Sequence, residues 1–373
     1  MKQKLLFLFV LLNTSVILSQ TFNINGINYQ VIDATNLYVR VSANPAFSGV
    51  ATISETVNYN FQNYTVKEIG YEAFRNCTGL TSITIPNSIT NIEGYAFYNC
   101  TGLTSITFPN SVTVIGNASF YGCTGLTAIS IPSSVTTIDN FAFSGCTGLT
   151  SLSIPSSGTF INYAAFFGCS DLTSLNLNCP IGTSAFYQCT GLVSVTINTA
   201  GIIGTEAFYQ CTALNTLTIT SAYGIGDNAF NGCTSLNTVN CYITTPLLIS
   251  SNVFSGVNVT NCTLNVPVGS VAAYEATSVW TDFNPINGNL LATDNFIKDK
   301  LSIYPNPTRN ELFIDAKNLN NIKLDVFDLN GKILINQPLN STNIINTGNL
   351  TNGIYLFKIS SDEGSVITKV IKN

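Results

Sequence analysis

Apolar residues recur along the middle of this chain in a fixed order. Phenylalanine stands at Phe74, Phe97, Phe120, Phe143, Phe166, Phe186, Phe208 and Phe230. Cysteine follows three residues later each time, at Cys77, Cys100, Cys123, Cys146, Cys169, Cys189, Cys211 and Cys233, and leucine three after that, from Leu80 through Leu236. The first five units are 23 residues apart and the later ones shorten to 20 or 22. Self-similarity at such a period marks a repeat architecture. Within one unit, Leu103-Thr104-Ser105-Ile106-Thr107-Phe108 alternates apolar and polar near its end, which predicts a short strand. Pro109 has no N–H to donate to a ladder and stops it. The stretch from Ile92 to Cys100 reads as an irregular or single-turn helical return, and Thr101-Gly102 as the corner into the strand.

One unit cannot fold alone. Its apolar side chains would gain roughly 1.5–3 kcal/mol each on full burial, whereas ordering about 23 residues costs roughly 1–2 kcal/mol apiece. Each coil must therefore cover its neighbour's apolar edge, with one strand per coil joining a single parallel sheet. At about 4.8 Å per strand, eight coils span roughly 40 Å. The order Leu-x-x-Ile-x-Ile after a Phe-x-x-Cys return, as in Ile138-Asp139-Asn140-Phe141-Ala142-Phe143-Ser144-Gly145-Cys146-Thr147-Gly148-Leu149, resembles the BspA-like branch of the leucine-rich repeats over about residues 66–287. The resemblance implies a mainly β, right-handed solenoid. A right-handed β-helix is the rival; its three strands per coil fit less well with one strand and an Ala-Phe return.

Solenoid ends need caps, because an open end exposes core and unpaired backbone. Residues 20–65 read as an N-terminal β cap, with alternating stretches Tyr29-Gln30-Val31-Ile32 and Tyr38-Val39-Arg40-Val41. The repeats proper are placed at 66–265, about eight units, and a trailing cap and linker at 266–295. That cap runs through Val266-Pro267-Val268-Gly269-Ser270 and Val271 to Ala276 to Trp280 and Phe283, with the single Trp closing the core.

Residues 296–373 change character. Short strands are expected at Leu312-Phe313-Ile314, Leu324-Asp325-Val326-Phe327, Lys332-Ile333-Leu334, Tyr355-Leu356-Phe357 and Val366-Ile367, with Asn330-Gly331 as a hairpin turn. These predict a small Ig-like β-sandwich. Ser302-Ile303-Tyr304-Pro305-Asn306-Pro307, Asp328-Leu329-Asn330-Gly331-Lys332, Leu350-Thr351-Asn352-Gly353-Ile354-Tyr355 and Lys369-Val370-Ile371-Lys372 resemble the carboxy-terminal sorting domain of type IX secretion. That resemblance implies a Bacteroidetes-type cell, engagement of the type IX machinery through residues 296–373, passage across the outer membrane and removal of the domain outside. An ordinary carbohydrate-binding or Ig-like module is the alternative.

Composition narrows the function classes. Only 9% of residues are charged, where about 25% is usual. No Lys or Arg occurs between Arg75 and Lys298, while Glu93, Asp139, Asp171, Glu206, Asp227, Glu275, Asp282 and Asp294 do. That excludes nucleic-acid binding by the repeats and disfavours anionic lipid. At the amino terminus, Lys2 and Lys4 precede the apolar run Leu5 to Leu12, and Ser19 suits a cleavage site. Residues 1–19 thus read as a secretory signal peptide, the run being short for a membrane span. A retained helical anchor is the alternative. The mature chain is expected outside the cell, secreted or at the outer-membrane surface, with no integral membrane span.

Histidine is absent, which removes the commonest general base and metal ligand. One cysteine per coil lacks the paired knuckles of a zinc site, and no metal or other cofactor is expected. Adjacent ladder cysteines would hold their Cβ atoms about 4.8 Å apart where a disulfide wants about 3.8 Å, so buried free thiols are the better reading. Pairing among Cys179, Cys241 and Cys262 stays open. Catalytic residues are not expected: no nucleophile motif is present, and no two repeat acids share an outward strand face.

Two surfaces are candidates for binding. Outward strand positions form a polar column Ser82, Ser105, Ala128, Ser151, Ser174, Ser194, Thr216, Thr238 and a second one Thr84, Thr107, Ser130, Ser153, Asn176, Thr196, Thr218, Asn240. One residue after each ladder Phe stands an aromatic row, Tyr98, Tyr121, Phe167, Tyr187 and Tyr209, with Arg75, Ser144 and Asn231 in the same slot. Either surface could serve a ligand or merely suit the coil. The family resemblance implies a non-enzymatic adhesin whose array binds host or neighbouring-cell proteins or glycans. A passive structural surface component and a polysaccharide-active enzyme are the alternatives. Trypsin should leave residues 76–298 as one limit fragment on a gel, since no cleavage site lies between. Proteases of broad specificity should spare the same region, and its rapid digestion would contradict a packed array.

Overall fold

The computed structural model describes residues 20–154, 158–199, 201–290, 301–316, 321–328, 332–339, 342–361 and 364–373. The signal-peptide segment, the turn at Asn330-Gly331 and residues 291–300 lie outside the described residues. The chain divides into two compact units, one of Met1–Val239, Leu247–Thr263 and Thr277–Pro285, the other of Asn240–Pro246, Leu264–Ala276 and Ile286–Asn373.

The first unit is a β-solenoid with two parallel sheets, not one. The expected strands form a face sheet in three pieces. Ser48–Thr52, Gly79–Thr84 and Ser105–Ile106 make the first, and Ala128–Ser130 with Ser151–Ser153 the second. The third includes Ser174–Leu177, Ser194–Asn198 and Thr216–Ser221. The missed second sheet lies on the return. Asn91–Ile92, Val114–Ile115, Thr137–Ile138 and Phe160–Ile161 pair in parallel, continuing from Gln62–Ile69. Isolated bridges carry the line through Ile181 to Ile203, which pairs with Ile225. After Gln62–Ile69 each return strand is at most two residues long, too short for any alternation to show. Its buried member is nonetheless always Ile, at Ile69, Ile92, Ile115, Ile138, Ile161, Ile181, Ile203 and Ile225.

Proline sets where the face strands end. Pro86, Pro109, Pro132 and Pro155 occupy equivalent places after the strand; from the fifth unit on, Asn178, Asn198 and Thr220 stand there instead. The strands that precede these prolines stop two or three residues short of them, at Thr84, Ile106, Ser130 and Ser153, whereas Ser194–Asn198 and Thr216–Ser221 run on to the equivalent place or past it. The missing N–H of proline accounts for the difference.

Inside the coils the phenylalanines form one continuous column. Neighbouring rings from Phe74 to Phe230 have centroids 4.9–5.4 Å apart and planes within 12°. The column runs one unit beyond the sequence reading, to Phe254, 5.6 Å from Phe230, where Val257 replaces the ladder cysteine. Trp280 and Phe283 then meet Phe254 edge-on at 5.8 and 5.1 Å and end the stack. At the other end Phe47 meets Phe74 edge-on. The leading cap packs Phe22 flat on Tyr59, at 4.0 Å, above buried Tyr29, Val31, Val39 and Val41. Its antiparallel strands Thr21–Ile24, Ile27–Asp33 and Tyr38–Val41 lead straight into the return sheet.

The return segments are tied coil to coil by backbone bonds. Phe97 N–H donates to the Ser119 carbonyl and Asn99 N–H to the Tyr121 carbonyl, both at 2.7 Å. Two positions per return take left-handed backbone to allow this, such as Phe141 and Gly145, or Ser184 and Gln188. The residue just before the cysteine is glycine in four units, where that conformation costs no Cβ clash.

The second unit holds Thr263–Pro267 paired in parallel with Ile286–Leu290, a short helix Val271–Glu275, and two antiparallel sheets. Leu301–Tyr304, Glu311–Ala316 and Thr342–Asn346 make one sheet; Ile322–Phe327, Ile333–Leu339, Gly353–Ser361 and Gly364–Lys372 make the other. Leu312, Ile314 and Ile345 from the first pack with Leu324, Val326, Phe357, Ile359 and Val370 from the second, which makes a β-sandwich. Leu301–Tyr304 and Thr342–Asn346 were not among the expected strands.

All eleven cysteines are buried thiols. They are more than apolar wedges, because each ladder Sγ donates to a backbone carbonyl one coil away. Cys100, Cys123 and Cys146 bond the carbonyls of Phe74, Phe97 and Phe120 at 3.0–3.2 Å. The Phe74 carbonyl also accepts the Cys77 N–H, so one oxygen ties two coils. Burial above all pushes the thiols of Cys100, Cys146, Cys189 and Cys233 up to about 12 from an ordinary 9.0. The unfolded chain then loses these protons between about pH 9 and 12 while the folded chain keeps them, so their contribution is intact below about pH 9 and falls as pH rises through that window. Chemical denaturation of Cys146→Ala should show a shallower loss of stability between about pH 9 and 10.5 than the parent, by up to roughly 1.4 kcal/mol per pH unit. An unchanged slope would contradict burial of this thiol.

Candidate binding surfaces

The outward residues of the face sheet fall into register as columns. Ser82 pairs with Ser105, Ala128 with Ser151 and Ser130 with Ser153. Ser174, Ser194 and Thr216 align, as do Asn176, Thr196 and Thr218. Thr84, Ser105, Thr107, Ser151 and Ser153 are exposed; Ser82, Ser194, Thr196, Thr216 and Thr218 are half-buried. Inward neighbours such as Ile83, Ile129, Val195 and Leu217 are buried, so period-2 alternation fixes which side chains face out. The surface is divided where the sheet is divided. In the second unit an amide ladder stands on strand residues: Asn265 donates to Asn240 at 2.8 Å, and Asn287 and Asn289 donate to Asn265.

Other hydroxyl columns are structural. Thr104 and Thr150 donate to the carbonyls of Thr81 and Thr127, and Thr113 and Thr136 to those of Thr90 and Thr113, each one coil back. Sequence alone does not separate these threonines from the outward ones, since both recur once per unit.

The aromatic row forms two stacks. Tyr98 and Tyr121 lie 4.9 Å apart within 7° of parallel, with the Arg75 guanidinium 5.2 Å from the Tyr98 centroid. Phe167, Tyr187 and Tyr209 stack at 5.0 and 4.7 Å. Ser144, buried, separates the two. Rings stacked flat cover one another's faces, so between the ends of each stack they present edges and hydroxyls to solvent. Burial first, then Tyr209 and Glu206, pushes the Tyr187 hydroxyl upward. Gln188 and Gln210 run alongside as an amide pair at 2.9 Å.

Glu68 and Glu93 come together on the outer side of the return sheet, where Glu68 pairs across to Asn91 and Asn91 donates to Glu93. Burial raises the Glu68 carboxyl and Glu93 raises it further, while Arg40 opposes the shift. Glu68 stands within the strand Gln62–Ile69, at the start of the first coil. Among the described residues no group of three or more His, Cys, Asp or Glu is placed to hold a metal ion, and no helix is long and apolar enough to cross a membrane.

Comparison with known proteins follows the same division. The sequence description "BspA type Leucine rich repeat region" matches residues 45–173 and 171–275 in six copies, and "Secretion system C-terminal sorting domain" matches 302–373. No curated protein matches the chain. Among solved structures, a leucine rich cell surface protein of Faecalibacterium prausnitzii is 22% identical over 72% of this chain and 94% of its own, with a TM-score of 0.42. A leucine rich repeat protein of T. pallidum is 20% identical over 58% and 91%, at 0.40. The pneumococcal vaccine antigen PcpA is 17% identical over 74% and 100%, at 0.30. The sorting domain links the chain to type IX secretion and to a secreted or cell-surface location.

Proposed function

Because this chain belongs to the BspA type leucine-rich repeat family, we propose that it is a non-enzymatic, adhesin-like surface protein whose face sheet binds protein or glycan partners of host or neighbouring cells. The observation that carries this reading is the register of Ser174, Ser194 and Thr216 beside Asn176, Thr196 and Thr218 on the longest run of face strands. There, hydroxyls and amides repeat at the strand spacing on an uncharged, solvent-facing sheet. Each contact is weak alone, and many identical contacts along one partner add by avidity. Without lysine or arginine from residue 76 to 297, attraction by counterion release is absent over most of the array, and binding should change little with salt. A polysaccharide-active enzyme would need two carboxyls flanking a substrate. Glu68 and Glu93 influence one another on the outer side of the return sheet, but neither lines the cleft bounded by Asn28, Gln30, Arg40 and Tyr71.

The mature chain should bind saturably to at least one member of an array of extracellular-matrix proteins and cell-surface glycans. A Thr196→Lys/Thr218→Lys variant should bind at least tenfold more weakly while keeping its circular-dichroism spectrum. Absence of saturable binding across the array would favour a passive structural component, and undiminished binding by the variant would move the site off the face sheet.

A further inference from the structure

Away from the face sheet, the leading cap contains a cleft of about 520 Å³. It lies where the first return strands meet the first coil and is lined by Phe22, Asn23, Asn28, Gln30, Arg40 and Tyr71, among others. The size falls within the roughly 300–1,000 Å³ usual for small-molecule sites. Three features set it apart from the rest of the surface.

First, the polar groups converge. Thr21, Gln30, Arg40 and Glu68 stand in one cross-strand row on the outer side of the sheet. Gln30 Oε1 accepts from both Arg40 Nε, at 2.9 Å, and Arg40 Nη2, at 2.7 Å. That bond orients the guanidinium and uses two of its five N–H groups. Asn23 donates to Asn28, and Asn28 to the Ala43 carbonyl, so each amide is held with one N–H committed. Planar groups fixed in this way suit the paired hydroxyls of a polyol.

Second, Tyr71 offers a ring face. It is 58% exposed and meets Tyr95 edge-to-face, at 5.6 Å and 65°. Whichever ring presents its edge, at least one face of Tyr71 is uncovered by the other. The stacked rows Tyr98–Tyr121 and Phe167–Tyr187–Tyr209 offer no equivalent face between their ends. An open aromatic face beside oriented polar groups is the pairing a pyranose uses, with its C–H face on the ring and its hydroxyls on the amides and guanidinium.

Third, charge selects the class. Arg40 is directly opposite Glu68 across the strands, so the only cation on the lining is offset by a carboxylate on the next strand. An anionic ligand would meet that carboxylate field, whereas a neutral one would not.

We propose that this cleft is a discrete site for an uncharged saccharide, one or two sugar rings in length, separate from the repeat face. Tyr71 stacks on the sugar, and Gln30, Arg40 and Asn28 hydrogen-bond its hydroxyls. The site stands independently of the face-sheet reading: loss of oligosaccharide binding with array binding intact would sink this proposal alone, and the converse pattern the other alone.

The test is ligand-observed NMR and calorimetry on the mature chain, using maltohexaose, cellohexaose, xylohexaose, laminarihexaose and chitohexaose as neutral probes and hexagalacturonate as the acidic one. At least one neutral hexaose should bind, with affinity unchanged between 50 and 500 mM NaCl. Tyr71→Ala should weaken it at least tenfold, and Arg40→Lys, which keeps the charge but loses the planar fork, at least threefold. Tyr223→Ala, an exposed ring elsewhere on the return segment, should leave it unchanged. Failure of every neutral probe to bind, tighter binding of hexagalacturonate, or full affinity in Tyr71→Ala would each overturn the proposal.

Discussion

Registration of each coil directly over the last is the constraint on which the structure depends. A coil of 20 to 23 residues has too few apolar side chains to offset its own ordering, so its stability comes from the neighbour above and below. Registration turns a sequence period into columns: phenylalanine over phenylalanine, isoleucine over isoleucine, thiol beneath carbonyl. Bonds that would be local in a globular domain run between coils here, as in the Phe74 carbonyl that accepts both a backbone N–H of its own turn and the Cys100 thiol. A fault in one coil is therefore felt by two others.

The same constraint explains which parts of the fold were legible in the sequence. Phe74 to Phe230, the ladder cysteines and the strand leucines repeat strictly, and all are buried where the pattern puts them. The return sheet was not legible, because two-residue strands carry no periodicity of their own. Only the Ile69 to Ile225 column, read across units instead of along them, would have shown it. Phe254 was missed for a related reason: its unit has Val257 in the cysteine position, so a search keyed on Phe-x-x-Cys stops one coil early. In the second unit, Leu301–Tyr304 and Thr342–Asn346 escaped because a proline-rich motif and an Asn-rich stretch mask short strands.

Surface chemistry was less legible than core. Threonines that bond a carbonyl one coil back and threonines that face solvent recur at the same period, and only the strand register separates them. The tyrosine row shows the opposite limit. Its members are half-buried, and stacking covers the faces they turn to one another, a matter of ring orientation that spacing does not encode. Arg40 belongs to the cap, and Tyr71 stands in the first coil at a position that carries Gly94, Asn117 and Asn140 in the next three, so no period marks either.

Ring-on-ring stacking is the most direct consequence of registration, and a double-mutant cycle measures it. Phe120→Leu and Phe143→Leu, alone and together, should show a coupling of about 0.5–1.5 kcal/mol in urea denaturation. The distant pair Phe97→Leu and Phe208→Leu should add within about 0.5 kcal/mol. Strict additivity for the neighbouring pair, no different from the distant one, would mean that the coils do not lie over one another as described.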